Sequence, residues 1–250
     1  MEWAGGVANP AWLRALLPVE QQMGRHRPYH PRTMRIETVL ARLASLPDPL
    51  PAGPEVLTPI LTDGRVRAFP PRDPAGDRPA AVLVLVAPGE DGIARVVLTE
   101  RPTYDGLHSG EVSVPGGKVE PGDVDMVATA LREAAEEVGL DPTAAGLEVL
   151  GRLDEVWIPV SRFALVPVLA VAARRPLLVA SPLEVARILE PPVSAFLPDA
   201  PVRIVDRTIR DWPLRYGAYP IGAEDGPELL VWGATARILG QLGALLALRE

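Results

Sequence analysis

At 250 residues the chain can form one large domain, or one domain of usual size with an extension, and 48% hydrophobic with 23% charged residues excludes global disorder. The net charge of −7 argues against a nucleic-acid partner, which needs clustered Lys and Arg, and suits a bound cation better. The absence of cysteine excludes disulfides, thiolate catalysis and cysteine zinc sites.

In chain order, Asn9 and Pro10 supply an N-cap and a first helical residue, predicting a helix over 9–24. This N-terminus lacks a basic stretch followed by an apolar one, so no signal peptide is expected and the protein is placed in the cytoplasm. A second helix is predicted over 34–46. Met34 opens it, which leaves translation from Met34 open beside translation from Met1. Nine prolines between 47 and 79 exclude a long helix or a central strand there and predict an extended arm. Valine-rich 80–87 and then 94–99 read as a hairpin of buried strands. Strands follow at 148–153 and 164–172, the latter an edge or bulged strand because of Pro167. Ser181, Pro182 and Glu184 form a capping box that opens a helix to about Glu190. Short strands are predicted at 202–205 and 228–232, with Trp232 in the core. The apolar run 229–248 is broken by Arg237, Gln241 and three glycines, so it reads as a buried helix from about Ala234 and not as a membrane span. The sum is an α/β (α+β) fold, a mixed sheet sandwiched between helices over 79–250, with residues 1–78 as an N-terminal extension. That extension either covers the sheet or mediates homodimerisation.

The chemistry is concentrated in PGGKVEPGDVDMVATALREAAEEVGL, residues 115–140, which holds the only lysine, Lys118. Asp123 or Asp125 caps a helix that ends at Val138, with Gly139 as the left-handed terminator. Helical spacing puts Val124, Val127, Leu131, Ala134, Ala135 and Val138 on one side and Glu133, Glu136 and Glu137 on the other. Like charges at that spacing repel unless neutralised; Arg132 can pair with Glu136, and a divalent cation such as Mg²⁺ or Mn²⁺ accepts such oxygen ligands. Gly116 and Gly117, lacking side chains, let backbone approach a phosphate or a metal. A solvated acidic face is the competing account of the glutamates.

Gly117 through Arg132, Glu133, Glu136, Glu137 and Gly139 resembles the signature of the Nudix hydrolases, with Asp123 in the place of the first Glu and one extra residue before Arg132. That extra residue resembles the coenzyme A pyrophosphatase branch. So do Leu98, Thr99 and Arg101; His108, Gly110, Glu111, Val112 and Ser113; Thr129 to Leu131; Ser161, Phe163 and Pro167; and Leu230, Trp232, Gly233, Thr235 and Ala236. Asp105 and Gly106 depart from the branch's usual Leu and Arg, and Val114 from its usual Phe. The resemblance implies the Nudix fold and Mg²⁺ or Mn²⁺ held by Glu133, Glu136 and Glu137 with a main-chain carbonyl near Gly117. Arg132 would orient the glutamates, and the substrate would be a small nucleotide of the coenzyme A kind.

Arg101, Gly116, Gly117 and Lys118 are the candidate substrate contacts, with a solvent-facing turn as the alternative for Lys118. Glu136, Glu137, Glu111, Glu155 and Glu228 are candidates to accept the proton. His108 reads as a hydrogen-bonded loop residue, and His26 and His30 as part of a solvated loop. Three functions stay open: hydrolysis of coenzyme A or acyl-CoA, hydrolysis of another nucleoside diphosphate derivative such as ADP-ribose, NADH or a dNTP, and a silent nucleotide-binding module.

Overall fold

The computed structural model describes residues 33–66, 69, 71–102, 111–209, 211–222 and 228–248. The helix predicted over 9–24, His26, His30, Asp105, Gly106, His108 and Gly110 lie outside them. In chain order the elements are α1 (Ile36–Leu43), β1 (Ile60–Leu61), β2 (Arg78–Pro88), β3 (Ala94–Val96), β4 (Leu98–Glu100), β5 (Val112–Ser113) and β6 (Gly116–Lys118). They continue with α2 (Met126–Val138), α3 (Pro142–Ala145), β7 (Leu147–Arg152), β8 (Val156–Ile158), β9 (Phe163–Ala172) and β10 (Arg187–Leu189). The last are β11 (Arg203–Ile209), β12 (Trp212–Ile221), β13 (Leu229–Val231) and α4 (Gly233–Ala247).

The principal sheet is mixed. β2 runs parallel to β9 from Arg78↔Phe163 to Val86↔Val171, and pairs antiparallel with β6 at its start and with β3 at its end. β8 and β7 pair in turn along the far side of β9. Continuous apolar runs in β2 and β9 follow from coverage on both faces. Ala81, Leu83 and Leu85 pack with Ala130, Ala134 and Val138 of α2, while Val82, Val84 and Val86 pack with residues of α1 and α4. β1, β11, β12 and β13 form a second sheet, and β10, β4 and β5 a third.

The described part of the N-terminal segment belongs to this core. Val39, Leu43 and Leu57 are fully shielded in the main cluster, and β1 pairs with β12. Residue 78 therefore marks no boundary of the core itself.

Several sequence expectations are corrected. The helix expected from Ser181 is a turn followed by β10, because Ala186 donates to the Glu100 carbonyl and residues 187–189 pair with β4. β12 is an unforeseen ten-residue strand. Pro167 lies in a central strand, not an edge one, at the point where pairing with β8 has ended and pairing with β7 has yet to begin. Val124 precedes α2 and is 91% exposed, and Ala135 is exposed as well.

The C-terminal apolar run is the buried helix expected, and no helix among the described residues is long and apolar enough to cross a membrane. A Cβ on Gly243 would lie 1.8 Å from the Phe196 carbonyl oxygen, so at least this glycine is a close-approach position. Beside it, Tyr219 is fully shielded and meets Phe196 edge-on at 5.3 Å, yet its hydroxyl has no hydrogen-bond partner. An unpaired buried hydroxyl costs about 1 kcal/mol or more. Tyr219→Phe is therefore expected to raise the thermal midpoint by about 2–4 °C, read by calorimetry; a lower midpoint would contradict the assignment.

Candidate active site

Both glycines of the loop are fixed by what lies against them. β6 hydrogen-bonds to the start of β2 with Gly116 opposite Val82 and Gly117 opposite Ala81. Gly116 has φ +154°, and a Cβ there would sit 2.5 Å from the Ala81 carbonyl oxygen and from the Val82 Cα. A Cβ on Gly117 would instead fall 2.3 Å from Glu133 Oε1, so the bare backbone of Gly117 is the seat of that carboxylate.

α2 is capped by Asp125, whose carboxylate accepts the Ala128 amide at 2.8 Å, and it closes at Gly139 with φ 63°. Asp123 is thereby left for another task. Its carboxylate, only 5% exposed, accepts from Arg132 Nε at 3.0 Å, Arg132 Nη2 at 3.1 Å, the Thr129 hydroxyl at 2.9 Å and the Glu120 amide at 2.8 Å. The Arg132 guanidinium, followed by these other donors, holds the Asp123 carboxyl well below the usual carboxylate range. The residue in the place of the first glutamate of the signature thus anchors an arginine.

Arg132 is the hub that joins loop to helix. Besides Asp123 it donates to the Lys118 carbonyl at 2.9 Å and Glu136 Oε2 at 3.0 Å, and it pairs with Glu133 Oε1 at 3.0 Å. It thereby ties Glu133 and Glu136 to the glycine loop. Lys118 contributes its carbonyl to this hub, and its side chain is exposed.

Glu133 and Glu137 are the desolvated members of the row. Glu137 Oε2 accepts the Gly116 amide at 3.1 Å. Burial pushes the Glu137 carboxyl up to about 7; the Gly116 amide and the Arg101 charge oppose that rise, while Glu133 and Glu184 add to it. Burial also raises Glu133, against the pull of Arg132. Glu136 is 54% exposed on the outer side of the row. Arg101 stands close enough for its charge to act on Glu137, and its side chain is exposed at the end of β4.

As the side chains are placed, no group of three acids or histidines among the described residues is arranged to hold a metal ion. Arg132 accounts for this, since it takes up Glu133 and Glu136. The donor chemistry nevertheless fits a hard divalent cation: every candidate ligand is oxygen, and burial disfavours the charge of Glu133 and Glu137, which a bound cation would favour. Glu136, on the exposed side, joins them only by leaving Arg132.

One acid of this region went unrecognised in the sequence. Glu184 reads locally as part of a capping box, but its charge acts on both Glu133 and Glu137. The segment that carries it is tied to the end of α2, with Ser181 N donating to the Glu137 carbonyl at 2.8 Å and Val179 N to the Val138 carbonyl at 2.9 Å. No local pattern announces a charge that acts from 46 residues beyond the end of the helix at Val138. Among the other proton acceptors considered, Glu155 pairs with Arg72 at 2.6 Å and Glu228 with Arg203 at 3.2 Å. The Glu111 carbonyl accepts the Arg101 amide, and its charge acts on Tyr216. Trp232, placed in the core by the sequence, is half-buried and stacks on Tyr216 at 4.9 Å.

Residues 77–176 match the NUDIX domain family. The chain is 36% identical over 177 residues to Nudix hydrolase 15, mitochondrial, of Arabidopsis thaliana, covering 67% of this chain and 59% of that protein. It is 34% identical over 177 residues to the Uncharacterized Nudix hydrolase NudL of Shigella flexneri, covering 68% of this chain and 84% of that one. A solved Nudix hydrolase, RenU of M. Smegmatis, superposes with a TM-score of 0.39 at 28% identity over 46% of this chain and 71% of its own. With the bacterial relative matched over most of its length, the chain belongs to the Nudix hydrolase family.

Proposed function

We propose that the protein is a metal-dependent pyrophosphohydrolase that cleaves the diphosphate of coenzyme A or acyl-CoA into 3′,5′-ADP and (acyl-)4′-phosphopantetheine. The observation that carries the hydrolase reading is the pairing of two desolvated carboxylates, Glu133 and Glu137, with the bare backbone of Gly117 and Gly116. Glu133, Glu136 and Glu137, with a main-chain carbonyl near Gly117, would hold Mg²⁺ or Mn²⁺. Bound there, the cation neutralises the diphosphate and acidifies a water. Arg132 keeps the acidic row in register, and Arg101, exposed beside Glu137, supplies a cation for a substrate phosphate. Water adds to one phosphorus, the bridging P–O bond breaks, and a proton leaves to a carboxylate at the site.

What supports coenzyme A over other nucleotides is the extra residue before Arg132 and the flanking segments that resemble that branch. Val114, a departure from it, is 3% exposed in the main core, so the difference from Phe is one of packing. ADP-ribose, NADH and dNTPs are the alternative substrates, and a silent nucleotide-binding module is the alternative to hydrolysis. Purified protein incubated with Mg²⁺ or Mn²⁺ and coenzyme A, acyl-CoA, ADP-ribose, NADH and dNTPs should release 3′,5′-ADP from coenzyme A fastest, by mass spectrometry. Faster turnover of another substrate would replace the coenzyme A assignment, and turnover of none would leave the silent module. Glu136→Gln should abolish activity with the melting midpoint nearly unchanged; a fully active variant would refute the metal ligand set.

A further inference from the structure

Leu183 stands almost bare in water beside the acidic row. It is 89% exposed at the crest of the turn from Ser181 to Val185, which is closed by the Val185 amide donating to the Ser181 carbonyl at 2.8 Å. Both feet of that turn are bonded to the surroundings of the site. On one side the Ser181 amide donates to the Glu137 carbonyl at 2.8 Å, and on the other the Ala186 amide donates to the Glu100 carbonyl, also at 2.8 Å. Glu137 belongs to the acidic row and Glu100 is followed directly by Arg101, so the turn spans the gap between α2 and the end of β4.

The apolar surface continues along the segment that leads into the turn. Leu178 packs against the cluster that holds Ala134 and Val138 of α2, while its neighbours Leu177 and Val179 are turned out, 92% and 71% exposed. The Val179 amide donates to the Val138 carbonyl at 2.9 Å, and a Cβ on Gly139 would lie 3.5 Å from the Val179 Cβ, so this strip follows the C-terminal end of α2. Single exposed leucines are ordinary, but large apolar side chains grouped at one place mark a surface that something covers. Charge narrows the choice. Around the turn stand Glu137, Glu184, the Arg101 cation and an Arg187–Glu100 pair at 2.7 Å, with no surplus of positive charge to draw an anionic membrane or a nucleic acid. What the position does offer is reach from the acidic row, to which the turn is bonded directly.

We infer that Leu183, with Val179 and Leu177 behind it, binds an apolar arm attached to the substrate's diphosphate, and so favours such substrates over those whose second arm is a sugar. Leu183 is a specificity residue and touches none of the reacting atoms. The inference rests on the reading that a diphosphate is held at the acidic row. On the full function proposed above the arm is the pantetheine chain, which begins with a dimethyl-substituted carbon, and only that identification depends on coenzyme A.

The test uses the full chain as wild type, Leu183→Gln and Leu183→Met, with calorimetric binding of octyl diphosphate and ethyl diphosphate in Mn²⁺, thermal unfolding, and sedimentation of the free protein. Wild type should bind octyl diphosphate about tenfold or more tightly than ethyl diphosphate, which the shielding of about two methylenes supplies. Leu183→Gln should lose most of that preference by weakening octyl diphosphate alone, at an unchanged melting midpoint, and Leu183→Met should keep it. Equal binding of the two ligands by wild type, or a Gln variant with the wild-type preference, overturns the inference while the diphosphate site stands. Binding of neither ligand refutes the diphosphate site and this inference with it. A wild-type dimer that the Gln variant fails to form overturns the inference too, because a second copy then covers the strip. Coenzyme A turnover is measured separately: its absence, with the octyl preference intact, refutes the coenzyme A assignment and leaves this one standing.

Discussion

Gly117→Ala is expected to fold normally and lose about 10²-fold in kcat, while Gly116→Ala, one residue away, is expected to be strongly destabilised. The difference lies in what each new methyl would meet. At Gly117 it meets the end of the Glu133 side chain, 2.3 Å from Oε1, and that carboxylate can swing away. The stability change should stay within about 1 kcal/mol, since alanine also restricts the unfolded chain. The acid is then displaced by on the order of an ångström, and such misplacement costs about 10²-fold in rate. At Gly116 the methyl meets backbone, the Ala81 carbonyl and the Val82 Cα at 2.5 Å, in the pairing of β6 with β2 and at a φ of +154°. Neither can yield, so strain and overpacking together cost roughly 2–4 kcal/mol. Melting curves and steady-state rates of both variants decide the matter. A Gly117→Ala enzyme of full activity would show that Glu133 does not need its seat, and the reading of the loop would fail.

How far the sequence reached depends on whether an element's reason is local. α2 was legible because its cap, its apolar stripe and its terminating glycine all lie within 16 residues, and the choice between Asp123 and Asp125 needed only the contact of Asp123 with Arg132. The acidic row was legible from spacing alone, and so was the pairing of Arg132 with Glu136. β2 and β9 declared themselves by valine-rich runs. β12 did not, because Pro213, Gly217 and Pro220 interrupt its pattern, and it is pairing with β11, β1 and β13 that makes it a strand. Ser181 to Glu190 misled for the same reason: a local capping signal was overruled by pairing of residues 187–189 with β4. Glu184 completes the picture. It matters through neighbours far away in the chain, Glu133 and Glu137, which no local pattern displays.

Glu137→Gln should make the metal-free protein more stable at pH 8 while removing activity. The carboxyl titrates near 4.5 in an unfolded chain and at about 7 in the folded one, where burial disfavours its charge. Below pH 4.5 both states carry the proton and Glu137 has no effect on stability relative to glutamine. As pH rises from 4.5 to 7 the unfolded chain releases the proton first, so stability falls, and above 7 the loss levels off at about 3 kcal/mol. Glutamine stays neutral throughout and keeps an oxygen for the Gly116 amide. In EDTA at pH 8 its midpoint should therefore lie above wild type by roughly 6–12 °C, and the gap should close toward pH 4.5. Adding Mn²⁺ should raise the wild-type midpoint and leave that of the variant almost unmoved, because a cation bound only to the native state stabilises it by mass action. A glutamine variant that melts lower than wild type at pH 8, or a gap that ignores pH, would show that the folded protein supports the charge of Glu137 without a metal. The desolvated carboxylate would then be a structural group, and the case for a cation at this end of α2 would rest on Glu133 and Glu136 alone.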